Sequence, residues 1–112
     1  MYKVMMSTGT GLDEYDIGQL EKGCWIDVIA PTEEELDEIA QATHIYKEYL
    51  TAPLDKEEKS RTELDEDQLL VVIDIPFLRS NKDYDTMPLG IIITPEVIVT
   101  VCLESNAVTA DF

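Results

Sequence analysis

Hydrophobic and polar positions along the chain fall into two periods, and the switch between them outlines the fold. Residues 2–7 alternate. Tyr2, Val4 and Met6 fall on one face and Lys3 and Met5 on the other, which predicts a short strand. The glycine-rich stretch 8–23, TGTGLDEYDIGQLEKG, predicts a loop or a hairpin with irregular strands, with Gly9 and Gly11 where the backbone needs positive φ. A second strand, 23–31, opens at Gly23 and closes at Pro31. It places Cys24, Ile26 and Val28 on one face and Trp25, Asp27 and Ile29 on the other. An acid among apolar neighbours costs about 1–3 kcal/mol unless hydrogen-bonded, so Asp27 either reaches solvent or has a partner.

The period then changes to that of a helix. In 32–43, Leu36, Ile39, Ala40 and Thr43 recur at i, i+3, i+4 and i+7. Thr32 and Glu35 have the spacing of a capping box, and Glu33, Glu34 and Glu35 suit the positive end of the helix dipole. A second, shorter helical piece, 44–50, pairs Ile45 with Tyr49 and Tyr46 with Leu50, and Pro53 stops it.

Strand patterns return after residue 60. Residues 61–76 predict two strands or one long bent strand, with a turn near Glu66–Asp67. The run LLVVIDI, 69–75, is expected to be buried on both faces. Asp74, near its end, is either exposed or partnered. Residues 77–88 predict a polar connection, and 89–103 a hairpin that turns at Thr94–Pro95–Glu96 with Pro95 at the first corner. The order β-β-α-α-β-β-β-β predicts an α/β (α+β) fold, a mixed sheet with helices packed on it.

Composition narrows the class. A chain of 112 residues with 45% hydrophobic content makes one domain, 1–112, with one modest core. Its 24 acids against 8 bases give a net charge of −16, which repels nucleic acid and anionic lipid and attracts basic partners and divalent cations. No secretory signal is visible, and no run reaches the roughly 18 to 20 apolar residues that span a bilayer. Cys24 and Cys102 each lie in an apolar strand without metal spacing, as buried reduced thiols do.

Candidate chemistry is sparse. DKEEKSRTELDED, 55–67, is dense in acids, but an EF-hand loop from Asp55 would place Lys59 at a ligand position and Ser60 where glycine is required. Loose surface pairing of Lys56, Lys59 and Arg61 with neighbouring acids explains the stretch, and a hard-cation site built from acids distant in sequence stays open. The single histidine, His44, sits at a helix joint with no second ligand beside it. No nucleophile elbow, phosphate loop or zinc spacing occurs. No catalytic, cofactor-binding or metal-ligating residue is assigned, and no enzyme activity is expected.

Four segments in order carry a family resemblance: the opening strand, GCWIDVIAPTEEELDEIA, LDKEEKSRTELDEDQLLVVIDIP and YDTMPLGIIITPEVIVTVCLE. Together they resemble the N-terminal cytosolic domain of CorA-type magnesium and cobalt transporters. The resemblance implies a mixed sheet between helices. It implies a regulatory part in cation sensing and gating of a divalent metal ion transporter. The partners it implies are the other subunits of a pentamer and divalent cations, with no nucleic acid and no direct membrane contact by this portion. The implied location is the cytoplasmic face of the cell membrane, with the pore in transmembrane helices that this chain does not contain. It implies no tightly bound cofactor, only weak magnesium in the full-length assembly. The adjacent acidic pair that senses the cation in some members corresponds to Thr51 and Ala52 here, with Asp55, Glu57 and Glu58 nearby. The rival readings are an acidic interaction domain that engages a basic partner and a small metal-dependent hydrolase.

Overall fold

The computed structural model describes residues 1–8, 11–15, 17–20, 22–55, 57–78 and 84–104. Seven strands form one sheet: β1 (Tyr2–Thr8), β2 (Gly11–Tyr15), β3 (Cys24–Ile29), β4 (Arg61–Asp65), β5 (Gln68–Leu78), β6 (Tyr84–Ile93) and β7 (Val97–Cys102). Their spatial order is β2-β1-β3-β7-β6-β5-β4. Every adjacent pair is antiparallel except β3 and β7, which run parallel at the centre, with Ile26 beside Val99. A parallel pair needs a crossover. Here it contains α1 (Glu33–Thr43), α2 (Lys47–Thr51) and a 3-10 turn, Ala52–Leu54, before the chain builds the far edge and returns.

The predicted α1 forms for the reasons its sequence states. The Thr32 hydroxyl accepts from the Glu35 N–H and the Glu35 carboxylate accepts from the Thr32 N–H, completing the capping box. The helix ends at His44, which takes a left-handed conformation with φ 60. Between α1 and α2 the backbone turns without a regular partner, and Gln68 supplies one. Its side-chain amide donates to the His44 carbonyl at 2.9 Å and accepts from the Tyr46 N–H at 3.1 Å. That is why this glutamine is buried at the start of a strand.

Both helices lie on one face of the sheet. Their residues Leu36, Ile39, Tyr49 and Leu50, with Ile45 between them, join alternate residues of β1, β3, β5, β6 and β7 in the main core. The fit is close at Gly90, where an added Cβ would overlap the Pro53 ring. A smaller cluster, Ile75, Met87, Leu89 and Cys102, occupies one end of the opposite face, with Ile29, Ile91 and Leu103 against it.

Two expectations change. Residues 69–75 are not buried on both faces: Leu70 and Val72 lie under the helices, whereas Ile73 is 38% exposed. The helices cover one face only, so burial alternates from Leu69 to Ile73 although polarity does not, and Ile75 is buried in the smaller cluster on the opposite face. The stretch 77–88 is not simply a connection, because the β5–β6 ladder continues through Pro76–Thr86 to Leu78–Tyr84. Continued cross-strand pairing outweighs the local polarity there. Within residues 8–23 the hairpin reading holds: β2 pairs antiparallel with β1, and a 3-10 turn, Ile17–Gln19, follows. Gly23 takes a positive φ, 94; Gly11 opens β2 directly after residues 9–10, and the expectation for Gly9 lies outside the described residues. Residues 61–76 are two strands, joined through Glu66, which adopts φ 55.

Candidate functional site

Three regions hold the residues that sequence reasoning singled out. The first is the acidic connection between α2 and β4. Thr51 closes α2 and Ala52 opens the 3-10 turn, so the positions that correspond to the sensing pair carry no carboxylate. Asp55 folds back on its own loop and accepts from the Glu57 N–H at 3.0 Å. Glu58 pairs with Arg61 at 3.1 Å, and Arg61 also approaches Glu63 at 3.6 Å. For Arg61 this is the surface pairing the composition suggested, worth about 0–1 kcal/mol per pair, and Lys56 lies outside the described residues. Among the described residues no three histidine, cysteine or acidic side chains converge in a way that holds a metal ion.

The second region is the helix layer. Lys47 bridges Asp37 and Glu33, each at 2.8 Å, and these two hydrogen bonds, Asp37 first, raise its pKa. Glu35 takes the N-terminal ammonium of Met1 at 2.8 Å. That bond, followed by the Thr32 N–H, holds its carboxyl below the usual range. Tyr49 packs edge-on against Tyr46, and its hydroxyl is buried with no hydrogen-bond partner among the described residues. Burial, and then the charges of Glu63 and Asp65, raise its pKa. His44 borders a cleft of about 230 Å³ with Asp67, Gln68 and Glu96, but its own role is to end α1.

The third region was not foreseen as a unit. On the face away from the helices, register aligns side chains from five strands. Trp25 stands beside Ile98, Ile98 beside Ile93, Ile93 beside Leu69, and Leu69 beside Leu64. Leu64 is 68% exposed, Ile98 44% and Ile93 40%. Trp25, Leu89, Ile91, Ile93, Ile98 and Thr100 line an apolar cleft of about 360 Å³. In the next row the Trp25 indole N–H donates to Thr100 Oγ1 at 2.9 Å, and the Thr100 hydroxyl donates to Asp27 Oδ1 at 3.1 Å. Asp27 therefore has the partner its position required. Burial still pushes its carboxyl up, with the Thr100 bond and the Lys3 charge opposing. Asp74 is exposed and accepts a long bond, 3.4 Å, from Ser60. Cys24 and Cys102 are buried and are not joined in a disulfide. The one sequence signal for this region was Trp25, the single tryptophan, in a strand whose other face is wholly apolar.

A seven-stranded mixed sheet with its described helices on one side defines an α+β domain. Comparison with known proteins gives that class a family. The model of the CorA-like Mg2+ transporter proteins matches residues 21–112, and the chain belongs to this family. Among solved structures, the complete CorA magnesium transporter from Methanocaldococcus jannaschii matches with a TM-score of 0.81 and 23% identity, over 99% of this chain and 35% of that one. The soluble domain of CorA from the same organism matches with a TM-score of 0.77 and 26% identity, over 99% and 44%. The full-length CmaX protein matches with a TM-score of 0.68 and 15% identity, over 98% and 36%. The chain thus spans less than half the length of each. No curated protein matches it. Among the described residues no helix is long and apolar enough to cross a membrane.

Proposed function

We propose that the chain is the cytosolic regulatory module of a divalent metal ion transporter, acting on the cytoplasmic face of the membrane and working between neighbouring copies of itself. The observation that carries this reading is the match of 99% of the chain to the soluble domain of a CorA magnesium transporter, together with family membership over residues 21–112. The acids support it. Glu33, Glu34, Asp37 and Glu38 on α1, and Asp55 and Glu57 after α2, are exposed. Subunits of net charge −16 held side by side repel, and a hard cation with oxygen ligands relieves the repulsion. Loss of the cation then loosens the subunit contacts, which shifts the population towards a conducting state.

On this reading the cation is held jointly by two subunits, and a single chain holds it weakly. Magnesium titrated into the chain, followed by calorimetry, gives at most millimolar binding. Limited trypsin digestion of the full-length protein is slowed by magnesium, while digestion of the isolated chain is not slowed at the same concentration. A micromolar site in the isolated chain, or a full-length protein indifferent to magnesium, overturns the reading.

A further inference from the structure

β4 closes one side of the sheet, and no described strand lies beyond it. All of its residues, Arg61–Asp65, are exposed. In an antiparallel pair, alternate residues point their N–H and C=O groups away from the partner strand, so the outer edge of β4 offers unpaired backbone donors and acceptors in a row. Register with β5 fixes which side chains flank that row. Arg61 lies opposite Val72, Glu63 opposite Leu70 and Asp65 opposite Gln68, so these three share the side of the sheet that carries α1 and α2. Arg61 is drawn to Glu58 at 3.1 Å and to Glu63 at 3.6 Å, whereas Asp65 has no ion pair among the described residues. Negative charge therefore dominates the second half of the strand. The neighbouring tyrosines register it: after burial, the charges of Asp65 and Glu66 raise the pKa of Tyr46, and those of Glu63 and Asp65 raise that of Tyr49.

We propose that the β4 edge accepts an extended segment of a partner protein as a further strand, with lysine or arginine at two positions two residues apart, beside Glu63 and Asp65. Side chains directly opposite each other on paired strands lie about 4.5–5.5 Å apart, so each base answers one acid, and an acid in either place is repelled. Main-chain hydrogen bonds to the open edge give the affinity, and the alternate bases give the selection. The residue between the two bases points to the other side of the sheet and is left free to vary. A net charge of −16 draws a basic segment in and keeps acidic ones away.

A second copy of the chain is the poorer occupant. Two-fold antiparallel pairing centred on Leu64 sets Glu63 against Asp65, and pairing centred on Glu63 sets that residue against itself. Either arrangement also places two bodies of charge −16 in contact. Nothing in the strand pairing depends on cation transport, so either reading can fail alone.

The test uses the whole chain and a terminally blocked, dye-labelled heptapeptide in which lysine alternates with valine. Binding is followed by fluorescence anisotropy at about 0.15 M salt, where exposed charges are screened beyond about 8 Å. Two further peptides carry N-methyl groups on alternate backbone amides, one peptide for each alternate set. An added strand meets the edge through one set only. One methylated peptide is therefore expected to lose about tenfold or more in affinity, and the other to stay within about threefold of its parent. Asp65→Asn is expected to lose about fivefold, while Glu34→Gln, which removes the same charge from an exposed site on α1, loses less than about twofold. The methylated pair needs no change in the chain, so it decides the question even if a variant fails to fold. Equal losses from the two methylated peptides, or from the two variants, mean adhesion to net charge alone and overturn the proposal, as does a heptapeptide that does not bind. A chain that sediments as a dimer and is dissociated by the heptapeptide gives the edge to a second copy instead.

Discussion

The two faces of the sheet are built from nearly the same kinds of residue and end in different states. Beneath α1 and α2, Ile26, Val99, Ile92 and Leu70 are fully buried. Opposite them, Trp25, Ile98, Ile93 and Leu69 occupy the adjoining positions of the same four strands, and Ile98 and Ile93 keep 44% and 40% of their surface in water. A strand cannot tell which of its faces will be covered. The difference comes from the crossover: the segment between β3 and β4 is the one described stretch that carries α-helices, and it lies on one side. Polar residues follow the same logic. On the covered side Gln68 spends its amide on the backbone between the helices, a structural task. On the open side the Trp25–Thr100–Asp27 series leaves a half-buried carboxylate in an apolar area.

If the contrast is real, substitutions on the covered face dominate stability. Ile92→Ala, at a position with no exposure, is expected to cost about 2–5 kcal/mol in urea unfolding. A cost near zero breaks the comparison at once. Gly90→Ala tests how tightly the layers fit. Its Cβ would overlap the Pro53 ring, so a loss of about 1–3 kcal/mol is expected, and Pro53→Ala in the same chain should recover part of it. Thr32→Ala removes one half of the capping box that anchors α1 over the core, and about 1 kcal/mol is expected from thermal unfolding.

Titration separates the faces by sign. Glu35, on the helix layer, has a lowered pKa. Its contribution is present above the ordinary value of 4.5 and is lost as pH falls through the lowered one. Asp27, on the open face, has a raised pKa. Its penalty is absent below 3.8 and appears as pH rises through the raised value. Chemical denaturation across that acidic range should therefore show Asp27→Asn gaining on the parent chain as pH rises and Glu35→Gln losing to it. The smallest effect is expected at Ile98→Ala, within about 0.5 kcal/mol, because nearly half of its surface already lies in water. A loss above about 2 kcal/mol there would mean that the open face is a core in the isolated chain.

The more local a feature, the better it was read in advance. The capping box needs residues three apart, and Thr32 and Glu35 form it as expected. The hairpin turn needs Thr94 to Val97, and the Thr94 hydroxyl accepts from the Val97 N–H at 3.0 Å while its backbone closes the turn. The β3 alternation of Cys24, Ile26 and Val28 against Trp25, Asp27 and Ile29 was also right. The partner of Asp27 was not readable, because Thr100 is 73 residues away and reaches it only through the parallel β3–β7 pairing. The two-sided burial expected for 69–75 failed for a related reason. An apolar run reports that a strand avoids water, and carries no record of how many layers will be laid over it.

The sequence by itself determined the elements, most of their limits, the acidity of the surface and the family, since each depends on the identity of residues close together in the chain. Only the tertiary structure decided which apolar face became core, which glycine had to stay a glycine, and which hydroxyl would stand beside a half-buried acid. Those outcomes depend on register between strands far apart in sequence and on the side of the sheet to which the crossover returns. No local pattern encodes them, because the free energy that selects them is gained only once the distant surfaces meet.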